Sequence, residues 1–248
     1  GIKDVTAGYE VTGLTAEAKG KDFGTYNTEI TGTAKVTKGG VDVTDKVVVK
    51  TRAGKLVITP KSINTQEITV TKPADSKYDG NEHRNKPTVK DGEKVLVEDT
   101  DYTLSYSEDV INAGTVTVTI TGKGNYSGET TVDYQITPRT VKLTSGSDSK
   151  TYDGTPLVKH DVTVSEDGFA DGEGATYSYT GTQTDAGSSE NTFTYALKEG
   201  MLASNYEITT VNGTFDDGTM QAVKDFQLLN GFSTSGIATQ EVLDAMYN

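Results

Sequence analysis

Alternation with period two runs through most of the chain. In Thr115-Val116-Thr117-Val118-Thr119-Ile120-Thr121 the Val and Ile positions share one side and the Thr positions the other. That is the pattern of a strand with one face on a core and one face in water, and it predicts a wet threonine face. Gly122-Lys123-Gly124-Asn125-Tyr126 has the content of a tight reversal, and Thr130 to Ile136 returns as a partner strand. After Phe215 the period changes to three or four. Met220, Val223, Phe226 and Leu229 fall on one helical face, with Asp216 and Asp217 at its N-terminal end, where negative charge is favoured. Asn230-Gly231 predicts the stop of this helix. Thr239 is placed to N-cap a second short helix that would bury Val242, Leu243 and Met246.

The strand-rich part repeats, and the repeat organises the reading. Ser76-Lys77-Tyr78-Asp79-Gly80 returns as Ser149-Lys150-Thr151-Tyr152-Asp153-Gly154, and Asn112-Ala113-Gly114 returns as Asp185-Ala186-Gly187. Val57-Ile58-Thr59-Pro60 closes a first unit and Gln135-Ile136-Thr137-Pro138 a second. Proline has no N–H and ends strand pairing, so boundaries are expected at these positions. The first unit has Gly24-Thr25-Tyr26-Asn27-Thr28 where the Ala-Gly strands sit, and a closing hairpin is expected from Lys46 to Ile58. It lacks the Tyr-Asp-Gly opening, so it is divergent or cut at its front. The expected fold is all-β: tandem immunoglobulin-like β-sandwich modules in an extended row, followed by a short two-helix segment. The domains expected are a partial or divergent module at 1–60, repeats at 61–138 and 139–215, and a helical tail at 216–248. The tail is too short for an independent core, so it must dock on the third module, dock on another chain, or stay loose.

Composition narrows the function. The formal net charge is −13, with no basic cluster set apart from the acids, which argues against nucleic-acid binding. There are no cysteines, so disulfides and thiolate metal sites are impossible. No apolar run approaches the roughly 20 residues of a membrane span. The chain begins at Gly1 without a charged-then-apolar leader, as a mature or excised fragment would. No nucleophile elbow, phosphate loop, zinc signature or HExxH is present, so no catalytic residue is assigned, no cofactor is expected and the chain reads as non-enzymatic.

Each candidate site has a plainer alternative. Asp-Gly is a strong turn pair, and the Tyr before it can cap a core edge with its hydroxyl wet. The other reading makes Tyr78 and Tyr152 stacking platforms for a ligand. Phe226 is a candidate ligand contact or simply a packing residue. Asp167, Asp171 and Glu173 lie in a Gly-rich loop and could offer oxygen ligands to calcium, though the spacing is not that of an EF-hand. His83 and His160 are expected on the surface. A Lys–Asn or Lys–Asp isopeptide cross-link would need a buried lysine, its partner and an acid together.

Residues 61–215 resemble the YDG and MBG families of immunoglobulin-like repeats found in bacterial surface adhesins. The resemblance is carried by Tyr78-Asp79-Gly80, Asn112-Ala113-Gly114, Gly124-Asn125-Tyr126, Tyr152-Asp153-Gly154, Asp185-Ala186-Gly187 and Asn205-Tyr206. It implies secretion, a bacterial cell-surface or cell-wall location, and stalk or adhesive duty toward a glycan or protein ligand. Residues 216–248 resemble the later part of a peptidoglycan-binding helical domain through Asp217-Gly218-Thr219, Ala222-Val223-Lys224, Phe226-Gln227, Asn230-Gly231-Phe232, Gly236-Ile237, Thr239 and Leu243. That family uses three helices, and the first has no counterpart here. The leading expectation is a non-catalytic extracellular stalk or adhesin segment; the alternative is a cell-wall-binding segment acting through the C-terminal helices on peptidoglycan.

Overall fold

The computed structural model describes residues 8–247. The fold is all-β with two helices near its C-terminus, α1 (Gly218–Leu229) and α2 (Gln240–Tyr247). Among the described residues no helix is long and apolar enough to cross a membrane. The chain divides into two compact units, one of residues 1–73, 86–106 and 117–132, the other of residues 74–85, 107–116 and 133–248. The second repeat contributes to both.

The first unit holds the strongest expression of the alternating pattern. Strand Tyr102–Tyr106 pairs antiparallel with the last part of Gly114–Gly122, so that Leu104 lies opposite Ile120 and Tyr106 opposite Val118. Val118 and Ile120 are fully buried, because every second side chain of a strand points to the same face. Ile120 joins Ile63, Ile68, Val89, Leu96, Tyr102 and Tyr126 in one apolar cluster. Thr117, Thr119 and Thr121 are half-buried rather than wet, a departure from the simple one-sided pattern. In the N-terminal part, Lys55–Ile58 pairs antiparallel with Gly24–Asn27. The hairpin expected from Lys46 to Ile58 is not formed: residues 47–54 carry no strand, and the closing strand takes a partner far back in sequence.

In the second unit Val141 and Leu143 of strand Arg139–Ser145 are fully buried, between the antiparallel strand Val162–Glu166 and the parallel strand Tyr206–Val211. A buried polar knot closes this sheet. Ser145 Oγ donates to the Asn191 carbonyl at 2.6 Å and accepts from the Gly213 N–H at 2.9 Å. A Cβ on Gly213 would sit 2.4 Å from the Gly146 carbonyl oxygen and 2.5 Å from that of Ser145, so this crossing requires glycine.

The two full repeats use the same pairings. Each opens with a strand that runs parallel to the strand after its Asn-Tyr turn, Lys61–Ser62 with Tyr126–Ser127 and Arg139–Ser145 with Tyr206–Val211. Each then places the Ser-Lys before its Tyr-Asp-Gly turn parallel to its closing strand. Ser76 and Lys77 lie beside Ile136 and Thr137, and Ser149 and Lys150 beside Asp216 and Asp217. By this register Asp216 occupies the place of Ile136, and Gly218, the first residue of α1, that of Pro138.

Candidate functional site

The Tyr-Asp-Gly turns meet two different fates. Lys150 Nζ donates to Asp153 Oδ1 at 2.8 Å and to Thr155 Oγ1 at 2.6 Å, while Asp153 Oδ1 also accepts from the Thr155 N–H at 2.9 Å. These bonds, the Lys150 ammonium first, hold the Asp153 carboxyl well below the usual carboxylate range. The turn is thereby fixed with the Tyr152 ring outside it, 61% exposed. Tyr152 rims a shallow cleft with Leu157, Gln183, Asp185 and Asp216.

Tyr78, by contrast, is 4% exposed, and its hydroxyl is not wet. It donates to Glu173 Oε1 at 2.6 Å, and Tyr206 donates to the other oxygen of the same carboxylate. The two rings meet edge to face at 5.6 Å, and Phe169 meets Tyr206 at 5.2 Å. Burial, reinforced by the Glu173 carboxylate, pushes both tyrosine hydroxyls above their ordinary value, Tyr206 the more strongly. Tyr78 therefore offers no open ring face to a ligand; of the two motif tyrosines only Tyr152 does.

The carboxylates read as possible calcium ligands do not converge. Asp167 is held by Lys77 Nζ at 2.7 Å and by the N–H and hydroxyl of Thr140 at 3.0 and 2.9 Å. Lys77 above all, with Thr140, keeps its carboxyl well below the usual range. Glu173 is taken by two tyrosines, and Asp171 is exposed. Among the described residues no group of three or more His, Cys, Asp or Glu is placed to hold a metal ion. Both histidines have partners: His83 Nε2 lies 3.0 Å from Asp79 Oδ1, and its half-buried position differs from the surface placement expected. His160 is exposed and stacks on Tyr179 at 4.8 Å.

The helical segment is part of the second unit. α1 packs against strands Asp148–Lys150 and Gly213–Asp217, and a Cβ on Gly218 would lie 3.0 Å from Thr151 Oγ1. Asp216, 9% exposed, receives Lys224 Nζ at 2.8 Å on Oδ2, which holds its carboxyl low, while Oδ1 is enclosed without a well-formed hydrogen bond. Asp216 therefore belongs to the strand and anchors the helix through an ion pair. The buried face of α1 is Val223 and Gln227, with Phe226 half-buried against Phe232, rings 6.4 Å apart and nearly parallel. Leu229, expected on this face, is 85% exposed. The Met220 side chain lies outside the described residues.

Gln227 is the position that apolar periodicity missed. Its Oε1 accepts from the Gly236 N–H at 2.9 Å, and its Nε2 donates to the Ile237 carbonyl at 3.0 Å and to Ser235 Oγ at 3.2 Å. One amide thus substitutes for backbone pairing across the loop between the helices. α1 stops as expected at Gly231, in the left-handed region at φ +73°. The Phe232 N–H reaches back to the Gln227 carbonyl and the Gly231 N–H to that of Leu228, a Schellman closure. Thr239 Oγ1 accepts from the Val242 N–H at 3.4 Å, a long N-cap bond. Val242 is buried while Met246 stays exposed, contrary to expectation.

In comparison with known families, residues 195–246 fit the model of a putative peptidoglycan binding domain. The matched stretch takes in both helices, and ahead of them the strands Tyr206–Val211 and Gly213–Asp217 of the second unit. No curated protein and no solved structure gives a significant match.

Proposed function

We propose that this chain is a non-catalytic, extracellular cell-wall-binding segment in which the α1–α2 segment contacts peptidoglycan and the β-modules space it from whatever it serves. The observation that carries the reading is the peptidoglycan-binding match over a segment that forms two helices joined by a Gln227-pinned loop. Phe226 and Phe232 give that segment a paired, half-buried aromatic surface, and Leu228 and Ile237 add exposed apolar area beside the polar loop, a mixture suited to sugar rings and short peptide stems. The repeats contribute spacing, in keeping with their resemblance to surface-protein modules.

Co-sedimentation of the full chain with purified, insoluble peptidoglycan tests this directly. Binding that disappears when residues 218–248 are removed is the expected result. Failure to sediment would remove the wall-binding reading, and full retention after the deletion would move the activity to the β-modules.

A further inference from the structure

Among the described residues one clamp occurs twice, and its receiving loop three times. In the first unit, Asn125 of the Gly-Asn-Tyr turn accepts from the Phe23 N–H at 2.6 Å and donates Nδ2 to Asp22 Oδ1 at 2.7 Å. In the second unit, Asn205 of the other Asn-Tyr turn accepts from the Ala113 N–H at 2.8 Å and donates Nδ2 to Asn112 Oδ1 at 2.9 Å. The receiving loops are alike: an Asp or Asn, one further residue, then a glycine with φ of +151° at Gly24 and +158° at Gly114 that opens a strand.

Asp185-Ala186-Gly187 is the third such loop. Gly187 has φ +144°, and strand Ser189–Asn191 follows. The loop is held in shape by Gln183 Nε2 on the Asp185 carbonyl at 2.6 Å. Asp185 and Ala186 are exposed, and among the described residues neither the Asp185 carboxylate nor the Ala186 N–H makes a hydrogen bond. Its acidic residue matches Asp22 in the first loop.

The chemistry of the missing partner follows from the two filled copies. Each loop offers one N–H donor and one oxygen acceptor side by side. A primary carboxamide answers both, because its carbonyl oxygen and one of its N–H bonds lie on the same edge. A trans secondary amide, as in an acetamido sugar or a peptide main chain, points its N–H away from its oxygen and can meet only one. A lysine or arginine can meet only the carboxylate.

A second observation points the same way. Tyr78, the motif tyrosine of the repeat whose Ala113 loop is filled, is covered by the ring of Tyr206, the residue after Asn205. Tyr152, the motif tyrosine of the repeat whose loop is open, is uncovered. One Asn-Tyr turn thus supplies both the clamp and the ring that closes over the tyrosine. We propose that the Asp185–Gly187 loop together with Tyr152 is a docking socket for the Asn-Tyr turn of a further β-module of this repeat type. In a second copy of this chain Asn125 and Asn205 are both already engaged, and α1 begins where the preceding repeat continues into strand Arg139–Ser145, so the occupant is another repeat-bearing polypeptide segment. The proposal is independent of the wall-binding reading.

The test is an NMR titration of the isotope-labelled full chain with a cyclised peptide of the turn sequence Lys-Gly-Asn-Tyr-Ser-Gly. The Ala186 amide and the Tyr152 ring are expected to shift. The response should weaken by at least about tenfold in Asp185→Ala, since a hydrogen bond to a charged acceptor is lost, and vanish when the peptide asparagine is replaced by aspartate. In Asn205→Ala the vacated Ala113 loop is expected to respond as well, which calibrates the peptide against a loop that holds an Asn-Tyr turn in the structure. Silence at Ala186, or an equal response to the aspartate peptide, overturns the proposal.

Discussion

Tyr78 and Tyr206 share one carboxylate, each hydroxyl donating to a different oxygen of Glu173 while their rings meet edge to face at 5.6 Å. Residues from two successive repeats are tied by a single acid, and neither hydroxyl can ionise without placing a negative charge against it. Their folded-state pKa values are raised, burial first and Glu173 second, so the stability they contribute is present below the unfolded tyrosine value and lost as pH rises through the folded one. Unfolding by urea is expected to show a loss of stability beginning above about pH 10, and Tyr206→Phe should flatten that loss. Glu173→Gln should cost about 1–3 kcal/mol near neutral pH, because its amide puts an NH2 donor where one of the two hydroxyls now finds an acceptor oxygen.

Gly213→Ala is expected to be among the most damaging single substitutions in the second unit. The added methyl would have to displace backbone carbonyl oxygens at 2.4 and 2.5 Å, and in moving them would break the Gly213 N–H to Ser145 Oγ bond. A loss of about 2–4 kcal/mol follows from combined overpacking and an orphaned buried donor. Equilibrium unfolding with a probe in strand Arg139–Ser145 measures it; a change within error would mean that the crossing relaxes freely.

Much of this architecture is legible in the chain because alternation and turn chemistry are local. Val116, Val118 and Ile120 are buried as the period-two pattern requires, and Gly231 and Thr239 sit at helix ends for reasons contained in a few residues. What was not legible depends on distant partners. Nothing near Lys55–Ile58 says that it pairs with Gly24–Asn27, and nothing near Tyr78 says that Glu173 and Tyr206 will bury it while its counterpart Tyr152 stays open. Gln227 was invisible to a hydrophobic pattern because its burial is satisfied by three polar partners in a loop.

The Asp216–Lys224 pair should make helix docking depend on acid. Lys224 holds the Asp216 carboxyl below its unfolded value, so the pair's contribution is complete above about pH 4 and is lost as pH falls through the depressed value. Lys224→Met leaves a nearly enclosed carboxylate without its cation, and near neutral pH it should cost about 1–3 kcal/mol. The deficit should shrink in acid, where the unpaired carboxyl protonates. Thermal melts across the acidic range check this; a deficit that is constant with pH would assign the effect to lost packing of the lysine stem.

Gln227→Ala separates the helical segment from the β-modules. The substitution keeps helix propensity high in α1 but strands the Gly236 N–H and the Ile237 carbonyl, which have the Gln227 amide as partner. The loss of these two backbone partners, with the Ser235 bond, costs about 1–3 kcal/mol, a large amount for a segment whose buried apolar residues, among the described ones, are Val223 and Val242. Circular dichroism is expected to lose the helical contribution at a temperature where the β signal is intact, and peptidoglycan co-sedimentation should fall in parallel. Gln227→Glu is the informative companion, since its carboxylate can still accept from Gly236 but cannot donate to Ile237. If it binds peptidoglycan as the parent chain does, loop order from the Gly236 bond alone suffices. If it fails along with Gln227→Ala, the donor to Ile237 is what sets the distance between the two helices.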